Sequence, residues 1–305
     1  MGWLSTLQAG AVGGDVMKST YQLLVVLFSA ACLLLLMPAK VAIADAQARR
    51  IGIEYEPPKN PEHQHLYEML KEHRVLEKLQ EIFSPFQLPI ELTFKTAGCD
   101  GVSNAWYSRP TVTICYEYLA EIQRDMPKET TSAGVTPTDA VLGQFFYAIA
   151  HEVGHAMFDL LNVPVFGHQE DAADQFAGYI ILQFGKADAR RLILGAAHSY
   201  NKYVKNPTVT APLTAFSDEH GPPAQRYYNL LCLAYGADPV LFGDVVDKNY
   251  LPKERARLCR GQYGELNFAF HQLIAPHLDR QLAKQVMDKS WLPPDDMPRG
   301  LRKLN

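Results

Sequence analysis

From Ala140 to Leu161 the chain has no proline, and apolar residues fall on nearly every face of the helix such a run would form. A helix that is apolar all round belongs in a core, so the fold has to be built around this segment. Thr136-Pro137-Thr138-Asp139 supplies cap candidates and a proline suited to a first turn, and Asn162 and Pro164 end the run. Inside it sit His151, Glu152 and His155, polar groups that are costly to bury without partners. They form the pattern His151-Glu152-Val153-Gly154-His155. Residues i and i+4 share a helix face, so both imidazoles can reach one Zn²⁺, with Glu152 beside them to hold and deprotonate a water. Gly154 weakens the helix by about 1 kcal/mol relative to alanine, which suggests that a larger side chain would crowd a neighbouring element.

Two histidines leave a third protein ligand to be found. After Val163-Pro164-Val165-Phe166-Gly167 turns the chain, Glu170 to Gln183 reads as a second helix, with Ala172, Ala173, Phe176, Ala177, Ile180 and Ile181 apolar. A short connection makes consecutive helices antiparallel neighbours, which returns Glu170 towards the histidine pair. Glu170 is therefore the expected third ligand, with His168, Asp171 and Asp174 as rivals. Asp174, one turn on, suits an acceptor for the outer nitrogen of a ligating histidine. Asp218-Glu219-His220 precedes another helix, Pro223 to Tyr235. His220, held by Asp218, is a candidate donor to a developing oxyanion, a role Tyr227 or Tyr228 could also fill; the alternative is a loop histidine capping that helix.

The net charge of -4 and the lack of any Lys/Arg run longer than a pair argue against nucleic acid as a partner. Leu23 to Met37 is an uncharged apolar run preceded by Lys18 and followed by small residues around Ala42 to Ala46. That order reads as a secretory signal over residues 1–46, with Met17 the more natural start and residues 1–16 a misassigned extension. It predicts a periplasmic or secreted protein, with membrane contact only if the segment stays uncleaved as an anchor, for which fifteen apolar residues are few. Outside it four cysteines remain, an even number that favours disulfides in an exported chain. The most local pairing is Cys99–Cys115 with Cys232–Cys259; four buried thiols is the alternative.

Residues 47–290 then read as one domain of α+β class, mostly helical with a small mixed sheet. Arg50 to Tyr55 and Leu88 to Phe94 are strand candidates, and Pro61 to Phe83 has helical spacing. Ala105-Trp106-Tyr107 and Thr111 to Tyr116 read as strands around the turn Ser108-Arg109-Pro110. Ala187 to Tyr200 is helical, Asn201 to Ser217 a long loop, and Glu254 to Gln285 largely helical. The Pro-rich tail, 291–305, is expected to be loosely held.

His151-Glu152-x-x-His155 followed by Glu170-x-x-x-Asp174 resembles the gluzincin arrangement of thermolysin-like metallopeptidases. The stretches around Asn104 to Tyr107 and Ile114 to Glu117, HEVGHAMFDLLNVPVFG, EDAADQFA, and DEH followed by QRYYNLLCLAYG also resemble a bacterial family of metallopeptidase-like proteins of unknown function. The resemblance implies a zincin-like fold whose edge strand borders an active-site cleft, and one Zn²⁺ on His151, His155 and Glu170. It further implies Glu152 as general base, Asp174 supporting a ligand, and a peptide or protein substrate. Asn104-Ala105 is similar to the edge-strand dipeptide with which such enzymes hold peptide backbone. Asn104 and Trp106 are thus candidate substrate contacts, or simply turn and core residues. The chain is much shorter than a full thermolysin-like unit and shows no second lobe. A non-catalytic peptide-binding relative, or a structural metal site closed by a further ligand such as His168, remains as an alternative.

Overall fold

The computed structural model describes residues 50–204 and 212–293, all within one compact unit. The expected signal segment and the tail beyond 293 lie outside the described residues. Within them the class is α+β with a helical majority and a four-stranded mixed sheet, as expected.

Strands β1 (Ile51–Tyr55), β2 (Leu92–Ala97), β3 (Ala105–Ser108) and β4 (Thr111–Cys115) take the order β1-β2-β4-β3. β1 and β4 both pair parallel with β2, whereas β3 pairs antiparallel with β4 and forms one edge. The parallel β1–β2 crossover is made by helices α1 (Gln64–Glu72) and α2 (Val75–Phe83). This corrects the single helix read over Pro61 to Phe83. Apolar spacing slips out of phase between Leu70 and Leu76, and Arg74 at φ 51° turns the chain so that both halves face the core. β2 starts at Leu92 rather than Leu88, because Pro89 cannot donate to a ladder and Ile90 is exposed.

The remaining helices are α3 (Tyr116–Asp125), α4 (Pro137–Leu160), α5 (Gln169–Leu182), α6 (Lys186–Val204), α7 (Pro223–Ala237), the short α8 (Gly243–Asp247), α9 (Lys253–Leu273) and α10 (Arg280–Met287). Thr136 caps α4 by accepting from the Asp139 N–H at 3.0 Å, with Pro137 in the first turn. Ile149, Ala150, Val153, Ala156 and Met157 are fully buried, so α4 is the core helix that its composition implied. α6 approaches it backbone to backbone. A Cβ on Gly195 would lie 1.9 Å from the Asp139 carbonyl oxygen, so only glycine fits there.

Both expected disulfides form. Cys99–Cys115 ties the loop before β3 to the end of β4, and Cys232–Cys259 ties α7 to α9. Each is worth about 2–4 kcal/mol in a chain-entropy account. Glu117 braces the first of these loops by accepting from the Cys99 N–H at 3.0 Å and the Gly101 N–H at 3.2 Å. The start of the tail departs from expectation, because it is tied down. Asp188 accepts from the Trp291 N–H at 2.8 Å, the Trp291 indole donates to the Val286 carbonyl at 2.9 Å, and Arg191 donates to the Pro293 carbonyl at 2.7 Å. No described helix is long and apolar enough to cross a membrane.

Candidate metal centre

α4 and α5 run antiparallel, since His151 meets Asp174, Gly154 meets Ala173 and His155 meets Glu170. The contact is closest at Gly154, where an added Cβ would sit 3.2 Å from the Ala173 Cα and 3.3 Å from the Phe176 ring. The crowding expected of a larger side chain at this position therefore has a named neighbour. Glu170 and Asp174 flank Ala173 by three residues and one, so whatever sets the Gly154–Ala173 distance also sets how far these carboxylates reach. Substituting Gly154 by Val should part the helices, lowering metal affinity at least tenfold while leaving the far-ultraviolet spectrum unchanged; unaltered affinity would show that the spacing is not critical.

His151 is 4% exposed, and its two ring nitrogens face two carboxylates. Nδ1 lies 2.8 Å from Asp174 Oδ1, and Nε2 lies 2.9 Å from Glu170 Oε2. His155 Nε2 is 3.1 Å from His151 Nε2 and 3.3 Å from Glu170 Oε2. Three atoms each about 2.1 Å from a tetrahedral Zn²⁺ would stand about 3.4 Å apart, so this triangle is slightly tighter than a zinc ligand set. Two imidazoles and a carboxylate also match zinc's preference for nitrogen and oxygen donors. The residues fit the ion. The rivals for the third place stand apart: His168 is exposed at the N-cap of α5, and Asp171 turns towards Gly221.

The segment after α6 does return to this triangle. His220 Nε2 lies 2.8 Å from Glu170 Oε2, and its ring stacks on His151 at 5.6 Å. His151, Glu170 and His220 thus form a second set able to hold an ion, with their ligand atoms all within 4.8 Å. The His155 set draws both imidazoles from one rigid helix, and its edges of 2.9, 3.1 and 3.3 Å are nearer those of a zinc site. Asp218 secures His220 through the backbone, accepting from its N–H at 2.9 Å, while the ring nitrogen is 3.5 Å away, too long for a good hydrogen bond. Tyr227 is buried in the core and packs edge-on against Tyr228. A further grouping, Cys99, Cys115 and Glu117, offers no thiolate because the two sulfurs are bonded to each other.

One residue of the centre was not singled out from the sequence. Arg226, in the first turn of α7, donates from Nε to Asp174 Oδ2 and from Nη2 to Asp174 Oδ1, each at 2.7 Å, while its guanidinium packs over Tyr200. An arginine among the buried residues Tyr227, Leu230 and Leu231 is itself a signal, because such a charge needs a carboxylate.

The edge strand contributes a backbone group. The Cys115 N–H donates to the Asn104 carbonyl, so alternation turns the main-chain groups of Asn104 and Trp106 towards β4 and those of Ala105 and Tyr107 outward. The outward N–H of Tyr107 donates to Glu152 Oε2 at 2.8 Å. The side chain of Asn104 is exposed and that of Trp106 half-buried.

Charge follows this geometry. Burial works against a charged His151, but the hydrogen bonds to Asp174 and Glu170 outweigh it and lift its pKa to about 9. Burial raises Glu152 to about 7, with His151 and the Tyr107 N–H opposing. Burial and the neighbouring His151 lower His155. The hydrogen bond to His151 brings Glu170 down to about 2. Burial of Asp174 is overcome by its bonds to His151 and Arg226, which hold it well below the usual carboxylate range. His151 Nε2 would have to give up its proton to hold a cation.

Comparison with known proteins places residues 55–274, most of the chain and all of this centre, in a family described as "Putative metallopeptidase". No curated protein and no solved structure matches the chain.

Proposed function

The chain belongs to that "Putative metallopeptidase" family, and on this premise we propose that it is an exported zinc-dependent peptidase of zincin type. The observation that carries the reading is the triangle of His151 Nε2, His155 Nε2 and Glu170 Oε2, with Glu152 held beside it by the edge strand. These three atoms would hold Zn²⁺. When bound, the ion supplies Lewis-acid chemistry, polarising a peptide carbonyl and making a water acidic enough to attack near neutral pH.

The chain's own groups do the rest. Asp174 accepts from His151 Nδ1 and so fixes the tautomer that leaves Nε2 as a lone-pair donor. Glu152 Oε2 is engaged by the Tyr107 N–H, leaving Oε1 to accept a proton from the attacking water and to return it to the departing amine. His220 Nε2, once released from Glu170, donates to the oxyanion that forms on the carbonyl. With the Tyr107 N–H taken by Glu152, the outward N–H and carbonyl of Ala105 and the outward carbonyl of Tyr107 offer a strand edge for an extended peptide, beside the side chains of Asn104 and Trp106. The two disulfides support an oxidising destination, in keeping with the leader read at residues 1–46.

A second reading rests on the 2.8 Å approach of His220 to Glu170: His220 as a fourth ligand closing a structural site. A digest of a peptide library with purified protein, with and without chelator, separates the two. A peptidase cleaves and stops when its zinc is removed. A closed site binds zinc without cleavage, and its spectroscopy shows three histidines.

A further inference from the structure

We propose that Tyr107, Asp159 and Arg109 form a clamp that sets the position of Glu152, making Tyr107 and Asp159 positioning residues for the hydrolysis proposed above, on which this inference rests. Glu152 and Asp159 are two turns apart on one face of α4. A single residue of the edge strand bridges them. Its N–H donates to Glu152 Oε2 at 2.8 Å and its hydroxyl to Asp159 Oδ2 at 2.6 Å. Arg109, at the turn into β4, adds a bond to Asp159 Oδ1 at 3.3 Å.

β3 is four residues long and has a ladder partner on one side only. Pairing with β4 fixes its register, while no ladder holds its outer edge, the one that faces Glu152 on α4. The clamp supplies this missing restraint. At 2.6 Å the tyrosine bond is a short, charge-assisted one, and Asp159 takes it on one oxygen while its other oxygen meets the guanidinium. Burial and the carboxylate both raise the Tyr107 hydroxyl above its ordinary range, so it remains a donor wherever a peptidase would be assayed. If the strand drifts from the helix, the Tyr107 N–H leaves Glu152 Oε2 and the carboxylate can rotate. Misplacement of a reacting group by about 1 Å costs up to about a hundredfold in rate.

The test uses the whole protein carrying Tyr107→Phe, Asp159→Ala or both. Each single variant should lower kcat about tenfold, with KM and bound zinc within about twofold of the parent. The double variant should be no worse than either single one, since both remove the same link, and Asp159→Asn, which keeps an acceptor, should recover most of the loss. A readout independent of activity is hydrogen exchange at the Tyr107 amide. Asp159→Ala should speed it about tenfold while the Trp106 amide, turned towards β4, stays unchanged. Unaltered Tyr107 exchange overturns the clamp whether or not the protein is a peptidase, as do additive losses or losses confined to KM or zinc content. If exchange responds but the parent shows no chelator-sensitive cleavage, the clamp stands as a device that holds Glu152 and the peptidase reading fails.

Discussion

Glu152→Gln should retain zinc and fold but lose hydrolysis by about a thousandfold or more, the upper range for removing a general acid–base group. The amide keeps an oxygen to accept from the Tyr107 N–H, so the local hydrogen bond to β3 survives. What is lost is the ability to take a proton at the second position. Glu152 is not one of the three groups whose ring nitrogens and carboxylate form the triangle, so metal content should stay at parent level. Measuring kcat beside metal analysis decides the matter: an active Glu152→Gln protein removes Glu152 from the mechanism, and an inactive one without zinc removes it from consideration as a base alone.

Arg226→Met should produce the largest loss of stability. Asp174 and Arg226 are both largely buried and share two bonds of 2.7 Å, so removing the cation leaves a buried carboxylate with His151 as its remaining charged partner. Breaking such a pair typically costs about 3–5 kcal/mol. The sign of its pH dependence follows from the depressed Asp174. A carboxylate whose folded pKa is lowered contributes stability that is present above its unfolded value, near 4, and is lost as pH falls through the folded value. The parent keeps that contribution well into acid, whereas the variant, lacking the guanidinium, protonates Asp174 sooner and sheds the penalty. Denaturant unfolding of chelated protein should therefore show a gap between parent and variant that is wide at pH 6 and narrower at pH 3. On the alkaline side the parent loses stability as pH rises through about 9, where His151 gives up its proton. A constant gap, or none, would show that Arg226 is not what holds Asp174 charged in the fold. Zinc affinity should fall as well, because Asp174 orients His151.

The parts of the fold and site that were legible in the sequence are those governed by local rules. α4 announces itself by its apolar surround and its Thr136-Pro137 start, and α5 by its periodicity, so the meeting of His151, His155, Glu170 and Asp174 needed only a short antiparallel connection. The disulfides followed from proximity in sequence. What escaped was set by distant partners or by backbone. Arg226 finds Asp174 across 52 positions, and no spacing rule reaches so far. The Tyr107 N–H carries no side-chain signature, although the alternation of its strand is readable. Arg74 breaks a helix that periodicity alone would continue, by adopting a left-handed conformation that arginine rarely shows. Trp291 looked like loose tail because proline content dominates that region, whereas its N–H was awaited by a buried aspartate on α6.

The bond between Cys232 and Cys259 has a bearing on when the centre becomes complete. α7 carries Arg226 near its start and Cys232 less than two turns later, so the helix that braces Asp174 is itself moored to α9 by sulfur. A chain folded with its thiols reduced would present the same two imidazoles and the same acid, but with α7 held against α9 by packing alone. Maturation of the centre is in this sense tied to the oxidising power of the surroundings in which the polypeptide comes to rest.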